Sequence, residues 1–150
     1  MSSPSDGFEC RWRPSRRLLL LYGSVQALAL LSLSLVAIPG WALALGVALG
    51  LGHAAWVLPR HILLSSPQAF SALRCTADGW QLWNAATGWQ AIQLRRDSLA
   101  LPLVVVLRFR LVDGRWVRGL CIPRDGMAAD MHRRLRVRLK FSRRRWVAAQ

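Results

Sequence analysis

Acidic residues are scarce in this chain, lysine is almost absent and cysteine is thin, and each shortage narrows what the protein can do. Seven Asp and Glu stand against 21 Lys and Arg, a net charge of +14, and Lys140 is the only lysine. Cys10, Cys75 and Cys121 are odd in number, far apart and without a Cys-x-x-Cys pair. That is neither a disulfide framework nor a zinc pattern, and the three read as reduced thiols in or near the cytosol. Local structure claims most of the carboxylates: Asp78 and Asp113 for turns, Asp125 for a helix N-cap, Asp6 and Glu9 for an N-terminal arm. Asp97 and Asp130 remain, neither paired in sequence with a second carboxylate or a histidine. His53, His61 and His132 lack metal-ligand spacing, and no glycine-rich phosphate loop or nucleophile–base pair can be assembled. The expectation is a non-enzyme without catalytic residue, metal or cofactor.

The longest absence is of charge. No Asp, Glu, Lys or Arg occurs from residue 18 to residue 58, so every arginine lies outside that interval. Residues 18–38 form one uncharged run, long enough at about 1.5 Å per residue to cross about 30 Å of hydrocarbon. Pro39-Gly40 breaks it, residues 41–58 form a second, and Pro59 and Arg60 end that one. Backbone in hydrocarbon must satisfy its own hydrogen bonds, so two antiparallel helices are expected. A cleaved signal peptide is rejected, because its apolar region would be too long and a second follows at once. Arg11, Arg13, Arg16 and Arg17 precede the first span; Arg60, His61 and Arg74 follow the second; the turn carries no charge. The positive-inside rule places both termini in the cytoplasm, with Trp41 at the outer boundary and Trp12 at the inner one.

Ala42, Gly46, Gly50 and Ala54 fall four apart and form a ridge of small residues that lets another helix approach closely. The first helix, with Gly23 and Ala27 available, is one partner for it; a homodimer seam is the other. His53 has no acid in either span to pair with, which favours a boundary or helix-contact role over a proton or ligand site.

Beyond Pro59 the period changes to that of strands. Residues 70–77 and 80–84 flank Asp78-Gly79, residues 89–95 follow a loop with Gly88, and residues 103–112 and 115–122 flank Asp113-Gly114. Leu103, Val105, Leu107, Phe109 and Leu111 alternate with the other side chains, and pairing across the second turn sets Leu111 opposite Trp116 and Leu107 opposite Leu120. A helix over 126–140, capped by Asp125, carries Met127, Met131, Leu135 and Leu139 as an apolar stripe. The expected class is an α+β membrane protein: a basic N-terminal arm (1–17), a transmembrane helical hairpin (18–58), a five-stranded antiparallel sheet with a C-terminal amphipathic helix (59–141), and a basic C-terminal tail (142–150).

The arginines of that helix, Arg133, Arg134, Arg136 and Arg138, are the candidates for contact with an anionic partner. A tethered domain already faces an anionic leaflet, where each nearby basic residue gains about 1 kcal/mol. A lipid surface therefore ranks above nucleic acid, and an acidic protein partner is a third reading.

Certain blocks in order resemble a known family: Arg11-Trp12-Arg13-Pro14-Ser15-Arg16-Arg17 leading into the leucine run, the helical hairpin, and Asp78-Gly79-Trp80. Then come Leu103-Val104-Val105-Val106-Leu107-Arg108-Phe109-Arg110, Leu120-Cys121-Ile122-Pro123-Arg124-Asp125 and His132-Arg133-Arg134-Leu135-Arg136-Val137-Arg138-Leu139. The chain is similar over nearly its whole length to the YgfX (CptA-type) family, bacterial inner-membrane toxins of type IV-like toxin–antitoxin pairs. The resemblance implies a non-enzymatic protein that disturbs cell division and shape by interfering with assembly of FtsZ and MreB, paired with an SdhE-type antitoxin. An accessory role in assembling a respiratory complex, succinate dehydrogenase, is the alternative it suggests. A lipid-surface or nucleic-acid-binding module is the other alternative.

Overall fold

The computed structural model describes residues 7–147; residues 1–6 of the basic arm, Asp6 among them, and residues 148–150 of the tail lie outside the described residues. The rest of the arm is not a loose segment. Phe8–Arg11 forms strand β1, antiparallel to Phe70–Thr76 (β2) in a register that sets Cys10 opposite Leu73. Trp12, expected at the membrane boundary, is instead 5% exposed in the core of the domain. Its Nε1 donates to the Phe70 carbonyl at 3.1 Å and its backbone N–H to the Ser71 carbonyl at 3.0 Å. An indole given a carbonyl in this way buries its ring without orphaning its donor.

Helices α1 (Arg16–Leu35) and α2 (Gly40–Val57) are the hairpin. Each is long and apolar enough to cross a membrane, and neither has a residue buried within the protein. The first ends earlier than residue 38. Val36 turns extended, and Ile38 precedes a proline, which disfavours helical backbone, so the connection is Val36, Ala37, Ile38 and Pro39 rather than Pro39-Gly40. Pro59 does not end the second. Its missing N–H falls where the helix widens into a π turn, Leu58–Ile62, and Leu63 N–H closes that turn on Leu58 O at 2.7 Å.

The small-residue ridge faces α1. A Cβ at Gly46 would lie 2.5 Å from Leu33 Cδ2, and one at Gly50 would lie 2.8 Å from Gln26 Nε2. The first helix thus occupies the seam, with Gln26, Leu30 and Leu33 and not with Gly23, around which a Cβ would find open space, or Ala27, which is exposed. The Tyr22 hydroxyl lies 2.8 Å from His53 Nδ1, so His53 joins the two helices.

Seven strands, two more than the pattern announces, make one antiparallel sheet: β1, β2, β3 (Gly79–Asn84), β4 (Gly88–Leu94), β5 (Leu99–Ala100), β6 (Val104–Leu111) and β7 (Val117–Pro123). The added β1 and β5 are short, and so carry little periodicity. In the first hairpin Thr76 pairs with Gly79, which puts Ala77 and Asp78 in the turn and Gly79 at φ 122°. Moving the turn by one residue moves the register by two, so every side chain keeps its face. The second turn is looser than Asp113-Gly114 alone: pairing stops at Arg110 opposite Val117, Leu111 pairs with Ile92, and Trp116 is 83% exposed. Leu107 does face Leu120, and Val105, Leu107 and Ile122 are fully buried. Phe70 meets Phe109 edge to face at 5.6 Å, which joins the β1–β4 half of the sheet to the β5–β7 half.

Helix α3 (Ala129–Val147) starts later and runs further than the expected 126–140, through the first part of the expected tail. Leu135 and Leu139 are buried and Met131 packs on the same core; Met127 precedes the helix but still packs there. Asp125 does not cap α3. It lies in a 3-10 turn, Arg124–Gly126, and its carboxylate accepts from Ser15 Oγ at 2.7 Å and from Arg17 N–H at 3.3 Å. Ser15 in turn is the N-cap of α1, accepting from Leu18 N–H at 3.1 Å. Arg13 N–H donates to Gly126 O at 2.7 Å, and a Cβ at Gly126 would press on Arg13 O at 3.0 Å. The entry to the first span is therefore clasped by a turn more than a hundred residues downstream.

Ser15→Ala should lower stability in detergent by about 1 kcal/mol, the usual loss of a helix N-cap. Asp125→Asn should add less to that variant than it costs the native chain, because the two groups share one bond. Denaturation of the four proteins of this cycle reads the coupling. Gly46→Leu should destabilise the hairpin by about 1–3 kcal/mol through overpacking on Leu33, measured in the same way.

Candidate functional site

Strand β1 runs from Phe8 to Arg11 and then into α1, so the Phe8 end of the sheet is the end further from the span. Phe8 stands beside Cys75, which stands beside Trp80, and α3 passes over this edge. Between them lies an open groove of about 1070 Å³. Phe8, Trp80, Met131 and Phe141 give it apolar surface, and Arg133, Arg134 and Arg138 line it from α3. Helical spacing explains the grouping: residues three and four apart share a face, so 134, 137, 138 and 141 stack along one side while 132, 135 and 139 turn to the core.

Three of the four candidate arginines are thus brought together. Arg134 pairs with Asp130 one turn earlier at 3.2 Å, and Arg138 lies over the Phe8 ring at 5.1 Å, which holds its guanidinium at the groove mouth. Arg136 is not with them. It is half-buried on another side of the helix, with its Nε enclosed and without a hydrogen-bond partner among the described residues. The groove's carboxylates, Glu9 and Asp130, are both engaged, Glu9 with Arg11 at 3.1 Å. An anionic segment carrying an apolar or aromatic anchor fits such a site, the anchor in the floor and the acids on the rim.

Nucleophile chemistry is poorly served. Burial, aided by the Glu9 charge and opposed by a hydrogen bond with Leu73, pushes the Cys10 thiol up to about 12, and burial also raises Cys121. A thiol so placed stays protonated and unreactive. Among the described residues no three of His, Cys, Asp and Glu gather as a metal site would require.

Sequence reasoning missed three features that matter here. Ser15 carried a local sign, a serine just before an apolar helix, but its partner Asp125 is distant and gave none. His132, 1% exposed, reads in sequence as one more basic residue of the helix. Gln26 and Tyr22 are the polar contacts of the hairpin, invisible until the helices are paired.

Compared with known families, residues 6–143 match the model of the CptA toxin family, the membrane-bound toxin component of a toxin–antitoxin system, and the chain belongs to that family. No curated protein and no solved structure matches it. As a toxin–antitoxin component it has an antitoxin for a partner, and with two spans it is a membrane protein.

His132 supplies a pH signature. Burial lowers the pKa of its imidazole below the usual 6.5, a hydrogen bond with the Ile122 backbone partly restores it, and the charges of Arg136 and Arg124 lower it further. The fold holds the neutral ring, so its contribution is complete above 6.5 and is lost as pH falls through the lowered folded value. Melting should move down between about pH 7 and about pH 5, and His132→Gln should flatten that part of the profile.

Proposed function

We propose that this chain is a membrane-tethered, non-enzymatic toxin that captures cytosolic proteins in the groove between α3 and the Phe8 end of the sheet. The observation that carries the reading is the convergence of Arg133, Arg134 and Arg138 over apolar surface at the end of the sheet further from the spans. A partner polymer held there would be kept against the membrane and out of assembly. The family resemblance suggests FtsZ and MreB as those polymers and an SdhE-type protein as the antitoxin, with the chain in the bacterial inner membrane and both termini in the cytoplasm. An antitoxin that presents its own acidic, apolar-anchored segment would compete for the same groove, and neutralisation would follow from occupancy alone.

Changing Arg133, Arg134 and Arg138 together to Ser should remove growth and shape defects on overexpression while the protein remains in the membrane. Crosslinked capture of cytosolic partners should fall by about tenfold or more, since each lost anchor in a desolvated site costs upwards of about 1 kcal/mol. Arg136→Ser, which leaves the groove intact, should keep both activities. A triple variant as toxic as the native chain would remove the groove from the mechanism.

A further inference from the structure

The opposite end of the same strands carries a second basic and aromatic surface. Arg11, Ala72, Trp83 and Trp89 stand side by side in one row across β1, β2, β3 and β4. This row is the near end of the sheet: β1 ends at Arg11 and α1 begins five residues later, at Arg16, while β2 is the first strand after α2 and the π turn. The alternation of β3 buries Trp80 and Leu82 and turns Trp83 outward, and Trp89, directly opposite, shares that outer face. Each indole carries an arginine. Arg11 Cζ lies 5.7 Å from the Trp83 ring and Arg74 Cζ 4.1 Å from the Trp89 ring. The Nε atoms are engaged, Arg11 with Glu9 at 3.1 Å and Arg74 with Gln81 at 2.7 Å, so each guanidinium is tethered near its ring through Nε.

We propose that this Trp83–Trp89 face, with Arg11 and Arg74, is a docking surface for the phosphate groups of anionic membrane lipids. Indoles prefer the headgroup level of a bilayer, and a guanidinium tethered beside one has less freedom to lose on gripping phosphate. The face lies at the end of the sheet where β1 leads toward α1 and β2 follows α2. At the domain end of α2 the same pairing recurs, Arg60 Cζ lying 5.1 Å from the Trp56 ring. Arg16 and Arg17 at the start of α1 add positive charge beside it. Docked in this way, the sheet leans on the leaflet at its near end and presents the groove at its far end. The surface meets the groove through the Arg11–Glu9 pair, whereas Arg74 and both indoles lie outside the groove's lining.

The test uses the full chain in nanodiscs of phosphatidylcholine with increasing phosphatidylglycerol, read by hydrogen exchange. Exchange in residues 80–92 should slow severalfold as phosphatidylglycerol is added. In Arg11→Gln/Arg74→Gln that response should shift to about tenfold higher anionic lipid, because about two basic contacts are lost. Arg11→Lys/Arg74→Lys, which keeps the charge and loses the stacked fork, should fall between. Unchanged exchange around Leu135 and Leu107 identifies variants that still fold. Exchange indifferent to phosphatidylglycerol, or an equal response in the Gln variant, overturns the proposal. So does equal protection of phosphatidylcholine discs by inorganic phosphate or a single-stranded oligonucleotide, which would make the face a general anion or nucleic-acid platform.

Discussion

One contact governs how this molecule is put together: the Asp125 carboxylate on the Ser15 hydroxyl at the mouth of the first membrane helix. An α-helix begins with backbone N–H groups that have no partner and a partial positive charge. Ser15 answers one of those donors, Asp125 answers another and supplies the opposite charge. The consequence is visible in the acid itself. Burial tends to raise its pKa, but the hydrogen bonds from Ser15 and Arg17 outweigh that and hold it below the ordinary carboxylate value. The anion is therefore present at any pH the cell meets. Because Asp125 sits between the last strand and α3, this same bond ties the membrane anchor to the lid of the domain.

With that tie in place the two ends of the strands stand in different surroundings. At the near end Arg11, Trp83 and Trp89 form a row beside the chain's entries into the hairpin. At the far end Phe8, Cys75 and Trp80 form another row, under α3 and its arginines. Trp12 contributes by filling the core just where the chain turns from strand to span, so that the turn cannot swing freely.

How much of this could be read in the sequence depended on the range of the interactions involved. The hairpin was legible because 41 uncharged residues in succession have few other fates, and the ridge of Ala42, Gly46, Gly50 and Ala54 because its spacing is helical. The long strands were legible from alternation, and Leu107 opposite Leu120 from the turn between them. Strands β1 and β5 were not, since four and two residues are too few for a period to emerge. Asp125 was assigned to the nearer helix because local capping rules look only forward along the chain, whereas its real helix begins 109 residues earlier, at Arg16. Arg136 was grouped with its neighbours by composition, and only the phase of the helix separates it from them. The candidate site was thus legible in its residue types, and its geometry came from long-range packing.

The central claim is that the Ser15–Asp125 bond makes anchor and domain one body. Pulsed electron spin resonance between nitroxides at Ala37→Cys, in the hairpin connection, and Asp113→Cys, in the β6–β7 loop, measures this directly in lipid, on a background with Cys75 and Cys121 changed to Ser. A single narrow distance distribution is expected, broadening markedly when Asp125 is changed to Ala. A distribution already broad in the otherwise native chain, or one that stays equally narrow without Asp125, would contradict it.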